Sequence, residues 1–197
     1  MQRGIVKVLG IIGSPRPGGN SDVVVSEVLR GAGSQGAEVE KVYLNDLNIR
    51  GCQACDVCKH GKGYVGCIQD DDMFDLYEKL IAADAVVLGC PIYCFGPSAQ
   101  LKAFIDRWYA LFYYEQGKRV CQLSGKKMLP ALLYGEADPF FAGAANAFAM
   151  LRDQAAFCGM TIPAVIFGSA DAPGEIRKNG QVMAEAYRAG ERLLMNP

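Results

Sequence analysis

Apolar, β-branched runs of strand length recur along the chain at residues 5–12, 85–90, 128–134 and 161–168, with a weaker one at 38–43. They lack the polar alternation of a sheet with one wet face, so they suit parallel strands covered on both sides. Helical patterns lie between them. The clearest is Met73, Leu76, Tyr77, Leu80 and Ile81, spaced so that all five share one helix face. Asp70, Asp71 and Asp72 just ahead supply N-cap and first-turn carboxylates. Further helices are expected at 21–31, 98–110, 142–157 and about 181–195. This alternation, without internal repeat or low-complexity stretch, predicts a doubly wound α/β fold with a five-stranded parallel sheet. Pro130 conflicts with a central strand because it has no N–H for the ladder, so that strand is expected to begin at Ala131.

Composition narrows the class. With 51% hydrophobic and 21% charged residues, 197 residues can bury the core of a single domain spanning 1–197. Twenty basic and 21 acidic residues are scattered along the chain for a net charge of −1, which offers no basic field for nucleic acid or anionic lipid. The first apolar run is broken by Lys7, is too short to span a bilayer and has no cleavage-site pattern behind it, so it reads as the first buried strand of a cytoplasmic protein. Eight cysteines in that setting point to metal or redox work rather than to a disulfide framework.

Two loops carry chemistry. The first run ends in Gly13-Ser14-Pro15-Arg16-Pro17-Gly18-Gly19-Asn20-Ser21 and passes into a helix. Free N–H groups and the helix dipole converge there on one anion site. The loop is neither GxGxxG nor a Walker A sequence, and a monophosphate held by Ser14, Arg16, Asn20 and Ser21 matches it better. Its plain alternative is a Pro/Gly turn with Ser21 as N-cap. The second loop, after the run at 85–90, opens with Pro91-Ile92-Tyr93-Cys94-Phe95-Gly96.

Gly-Ser-Pro-Arg and Gly-Asn-Ser at 13–16 and 19–21, followed by Pro-Ile-Tyr at 91–93, Ser-Ala at 98–99, Leu-Lys at 101–102 and Phe-Ile-Asp-Arg at 104–107, resemble the NAD(P)H-dependent FMN reductase family and its iron–sulfur flavoprotein branch. The similarity covers about residues 4–110, and the remainder only through its β/α pattern. The resemblance implies a flavodoxin-like fold. It also implies that Ser14, Arg16, Asn20 and Ser21 hold the FMN phosphate, while Pro91, Ile92, Tyr93, Cys94, Phe95 and Gly96 border the isoalloxazine ring. A third flavin loop is expected at 134–138, where the family's glycine-rich version is absent and only Gly135 and Glu136 carry over. The implied activity is an oxidoreductase with NAD(P)H as co-substrate and a small-molecule or protein electron acceptor. The chemistry is borne by the flavin and needs no catalytic side chain. A non-enzymatic electron carrier is the alternative, against which the near-neutral charge argues mildly.

Cys52, Cys55, Cys58 and Cys67 form a C-x2-C-x2-C-x8-C pattern in a loop at about 47–69. Three thiolates in one tight loop can approach three corners of a cuboidal cluster, with the fourth arriving from a short excursion. The pattern resembles the compact motif of iron–sulfur flavoproteins, with a longer last gap, and makes these four the candidate ligands of a 4Fe-4S cluster. Zinc and metal-free thiols are the other readings. Lys59 and Lys62 are placed to offset thiolate charge, and His60 reads as a solvated loop residue. The aromatic stretch 108–114 predicts a homodimer or homotetramer interface, with a buried helix end as its alternative.

Overall fold

The computed structural model describes residues 5–61 and 63–193. In chain order the strands are β1 (Lys7–Ile12), β2 (Glu38–Tyr43), β3 (Ala85–Tyr93), β4 (Gly96–Pro97), β5 (Phe112–Glu115), β6 (Lys118–Cys121), β7 (Lys127–Tyr134) and β8 (Ile166–Ser169). The helices are α1 (Asn20–Ser34), α2 (Met73–Ala82), α3 (Ala99–Asp106), α4 (Ala144–Cys158) and α5 (Gly180–Leu193). Five parallel strands make one sheet in the order β2-β1-β3-β7-β8, the flavodoxin-like arrangement, while β5 and β6 form a separate antiparallel ribbon. Among the described residues, no helix is long and apolar enough to cross a membrane.

The strand runs lack polar alternation because each face of the sheet has its own core. Leu9, Ile11, Val86, Leu88, Met128 and Leu132 pack with Met73, Leu76, Leu80, Leu101, Phe104 and Leu151 from α2, α3 and α4. The alternate residues Val8, Ile12, Val87, Leu129, Ala131 and Leu133 pack with Val24, Val25, Val28, Ala186 and Ala189 from α1 and α5. Helices α1 and α5 touch backbone to backbone. A Cβ on Gly31 would stand 2.1 Å from the Tyr187 carbonyl oxygen, and one on Gly190 would stand 2.0 Å from that of Val28.

The structure changes several of these expectations. Strand β7 runs through Pro130, which pairs in register with Leu88 of β3. The Met128 N–H donates to Thr161 on the opposite side, so Pro130, two residues on, turns its missing donor the same way. There the neighbouring chain is out of the ladder: it bridges at Lys127–Thr161 and rejoins only at Ala131–Ile166, with one extra residue. For the same reason the run at 161–168 yields a strand only over Ile166–Ser169. The helix expected at 98–110 stops at Asp106 and tightens into a 3₁₀ turn, Arg107–Leu111. Most of the aromatic stretch 108–114 faces the chain's own core. Trp108, Ala110, Leu111 and Phe112 are buried, Tyr113 is half-buried, and Tyr109 and Tyr114 are exposed. Phe104 meets Trp108 edge-on, as Phe112 meets Phe157. The stretch is mostly a buried helix end, with Tyr109 and Tyr114 left at the surface.

Candidate flavin site and cysteine pocket

At the carboxyl end of β1 the loop 13–19 is fixed before any ligand arrives. The Gly13 N–H donates to the Gly89 carbonyl at 2.8 Å, which sets the first loop beside the loop after β3. The buried Ser98 hydroxyl donates to the Gly13 carbonyl at 2.7 Å and accepts from the Leu101 N–H at 3.3 Å, capping α3. Asp22, in the first turn of α1, accepts from the Gly18 N–H at 2.7 Å, the Tyr43 hydroxyl at 2.9 Å and the Lys41 ammonium at 2.7 Å. Burial pushes the Asp22 carboxyl up, but these donors win and hold it below the usual carboxylate range. Helix α1 begins at Asn20, with Gly19 at the N-cap and no side-chain cap. Ser21 therefore lies inside the helix rather than capping it, and the first-turn N–H groups have no side chain over them. Ser14 is buried and Arg16 exposed. Among the described residues, the Arg16 guanidinium has no ion-pair partner.

Four strand ends open on one cleft. Its narrower end, about 140 Å³, is lined by Ser14, Arg16, Gly19, Asn20 and Ser21, by Pro91, Ile92 and Tyr93, by Leu133, Tyr134 and Gly135, and by Ala170, Asp171 and Pro173. A second hollow of about 400 Å³ shares Ile92, Tyr134, Gly135 and Asp171 with it and adds Cys94, Phe95, Glu136, Phe141 and Ala142. The second is of the size of small-molecule sites, roughly 300–1,000 Å³. Every predicted flavin residue except Gly96 lines one or the other. Gly96 instead pairs with Tyr93 to close a two-residue hairpin. Its turn residues Cys94 and Phe95 both have positive φ, +48° and +66°, a costly conformation for residues with a side chain. The turn is braced from α4, where the Asn146 Nδ2 donates to the Phe95 carbonyl at 3.3 Å. Phe95, Phe140 and Phe141 leave an exposed aromatic rim beside it.

Asn20 lines the cleft but spends its side chain elsewhere. Its Nδ2 donates to the carbonyls of Ala170 and Ala172 at 3.2 and 3.1 Å, and its Oδ1 accepts from the Ile176 N–H at 3.2 Å. It ties the loop after β8 to the start of α1, leaving only its backbone for an anion. That loop was missed from the sequence. The signal for it was available: Asp171-Ala172-Pro173-Gly174 follows a strand whose carboxyl end opens on the same side as the other three. Asp171 comes so close to Gly135 that a Cβ there would stand 2.7 Å from its Oδ1.

Cys52, Cys55, Cys58 and Cys67 line one further pocket, together with Asp56, Gln69, Arg107 and Tyr109. Between the cysteines, Ala54 and Asp56 take positive φ, and the Ala54 N–H donates to the Cys52 sulfur at 3.5 Å. Among the described residues, no three His, Cys, Asp or Glu side chains converge to hold a single metal ion. Burial pushes the Cys58 thiol up, against the pull of Lys59. The Lys59 ammonium is directed to the Tyr109 and Phe112 carbonyls and over both rings. Lys62 lies outside the described residues. His60 is exposed, as expected for a loop residue.

The NADPH-dependent FMN reductase family model matches residues 6–174. An iron–sulfur flavoprotein of Methanocaldococcus jannaschii is 42% identical over 103 residues, 52% of this chain and 51% of that protein. One from Methanosarcina thermophila is 37% identical over 102 residues, 52% of each chain. The chain thus spans about half the length of these two curated relatives. A Bacillus subtilis protein named as an NAD(P)H-dependent FMN-containing oxidoreductase is 28% identical over 188 residues, 95% of this chain and 98% of that one. The solved structure of an NAD(P)H:quinone oxidoreductase from Methanothermobacter marburgensis shares the fold, with a TM-score of 0.75 at 20% identity over 96% of this chain and 100% of that one. The family match covers all of the strands and the whole cleft, and on it the chain belongs to the NADPH-dependent FMN reductase family.

Proposed function

We propose that the chain binds FMN in the four-loop cleft and works as an NAD(P)H-dependent oxidoreductase that passes electrons to a small-molecule or protein acceptor. The observation that carries this reading is the uncapped start of α1 facing a cleft walled by all four loops. The residues present fit the cofactor. A phosphate would meet the first-turn N–H groups, the Ser14 and Ser21 hydroxyls and the Arg16 guanidinium, and Asp22 holds Gly18 in place for it. Ile92, Tyr93, Tyr134 and the braced Cys94-Phe95 turn supply an apolar wall for a planar ring. Bound FMN would supply the redox chemistry, accepting a hydride from the nicotinamide and releasing electrons singly or in pairs. The protein's own part is to hold the ring, shield it from water and leave one side open. Anaerobic mixing with NADH and with NADPH, followed at the flavin absorbance, tests this. A flavin that neither nucleotide bleaches would leave a non-enzymatic electron-transfer flavoprotein.

The cysteine pocket favours a second element of the same function. We propose that Cys52, Cys55, Cys58 and Cys67 ligate a 4Fe-4S cluster, which would supply single-electron steps beside the flavin. The ligands of such a cluster bind different irons around one cavity, and the four cysteines line one pocket. The Ala54 N–H on the Cys52 sulfur already supplies the kind of hydrogen bond that stabilises a ligating thiolate. Iron and sulfide analysis on protein prepared without air decides the matter. Full FMN occupancy without iron would leave a plain flavin reductase.

A further inference from the structure

Arg107 is buried to the guanidinium, with 1% of its side chain exposed. Its Nη1 donates to Asp71 Oδ2 at 2.6 Å and to the Arg50 carbonyl at 2.8 Å, and its Nη2 donates to Asp71 Oδ1 at 3.1 Å. The Tyr77 hydroxyl holds the Arg107 carbonyl at 2.8 Å, so the residue is fixed at both ends. The ion pair with the fully buried Asp71 accounts for two of the three guanidinium nitrogens. The third, Nε, is buried and has no acceptor among the described residues. An orphaned buried donor is costly and rare in folded proteins. The ion pair alone does not explain why this donor is left bare.

The surroundings of that donor supply a reason. Arg107 forms part of the wall of the pocket that the four cysteines line, so its guanidinium and Cys67 border one small cavity. A neutral thiol is a poor acceptor, whereas a metal-bound thiolate is a strong one. We propose that Arg107 is a positioning residue for the cluster, its Nε–H donating to the Cys67 sulfur once that sulfur is ligated. This rests on the 4Fe-4S reading and deepens it. Cys67 lies beyond the longest gap of the motif, and Arg107 gives it a fixed partner that the sequence spacing does not. The Asp71 pair would serve to lock the guanidinium plane and to balance its charge. Gln69 lines the same pocket with its Oε1 equally unpartnered, so a water bridging Arg107 and Gln69 is the competing occupant of the gap.

The test uses the whole chain, expressed with 15Nε-labelled arginine, loaded with its cluster, purified without air and reduced. Pulsed electron paramagnetic resonance should show an arginine nitrogen coupled to the reduced cluster. Arg107→Lys should lose that coupling and move the cluster's midpoint potential to more negative values, because a donor to sulfur favours the reduced state. Arg50→Lys should keep both. A cluster without arginine coupling would overturn the role of Arg107 while leaving the cluster reading intact, and would favour the water bridge. Protein without iron under these conditions would overturn both. Should Arg107→Lys fail to fold, the labelled wild-type spectrum still decides.

Discussion

A Cβ on Gly143 would stand 2.4 Å from the Cα of Phe95, so the turn beside the flavin cleft rests directly on the backbone leading into α4. Gly143 has φ +82°, a conformation that alanine takes at a cost. Gly143→Ala should therefore destabilise the fold by more than about 1 kcal/mol and weaken FMN binding by displacing Phe95. Gly33, near the end of α1, has no atom within 4 Å of its would-be Cβ. Gly33→Ala should raise stability by about 0.5–1 kcal/mol with FMN affinity unchanged. Urea unfolding and a flavin-fluorescence titration on both variants read the contrast.

Arg16→Ala should weaken FMN binding by about 1.5–3 kcal/mol, the scale of a lost charge-assisted contact. Because Arg16 is exposed and unpaired among the described residues, the unfolding midpoint of the apoprotein should stay where it is. Unchanged affinity would remove Arg16 from the site.

Asp71→Asn leaves the Arg107 charge buried without its partner and should cost about 3–5 kcal/mol at neutral pH. Burial pushes the Asp71 carboxyl up, but Arg107 and the N–H groups of Arg50 and Met73 hold it below the usual carboxylate range. A depressed carboxylate contributes stability that is fully present above its unfolded value, about 3.9, and that is lost as pH falls through the folded one. The gap between wild type and variant in urea should narrow steadily below about pH 4. A gap that stays constant down to pH 2 would contradict this account.

Cys121 carries the prediction for thiol chemistry. The neighbouring Cys158 thiol, with positive charge from Arg119 and Lys59, holds its pKa below the usual thiol range against partial burial. Cys158, held also by the Gln154 Nε2 at 3.3 Å, is pushed up in turn. Iodoacetamide labelling at Cys121, followed by peptide mass spectrometry, should rise with pH and reach half its plateau rate below about 8.5, the midpoint of a free thiol. In Cys158→Ala the midpoint should move up toward about 8.5.

Much of this was legible where the signal is local. The runs at 5–12 and 38–43 became β1 and β2 with little change, and the stripe from Met73 to Ile81 became α2 with Met73, Leu76, Tyr77 and Leu80 buried. The hydroxyls and arginine of the first loop reached the cleft because a strand end and a helix start fix it from both sides. What was not legible depended on distant partners. Asn20 reads as an anion ligand until Ala170, 150 residues downstream, takes its side chain. Pro130 reads as a strand breaker because nothing near it announces that the neighbouring chain leaves the ladder opposite. Trp108 and Phe112 read as a surface stripe because their partners Phe104 and Phe157 lie on two different helices. The cysteine spacing was plain, but the bare Arg107 donor in the same wall is a property of packing alone.

The contact of α1 with α5 through Gly31 and Gly190 has a bearing on how the protein is made. Among the described helices, the one whose N-terminus faces the cleft comes first in chain order, and the one that clasps it comes last. Until α5 emerges, Val24, Val25 and Val28 lack half of their cover, and the nascent α1 has nothing to hold its angle on the sheet. A stable seat for α1 is thereby tied to the arrival of α5, and the growing chain carries an open apolar flank until that helix closes it.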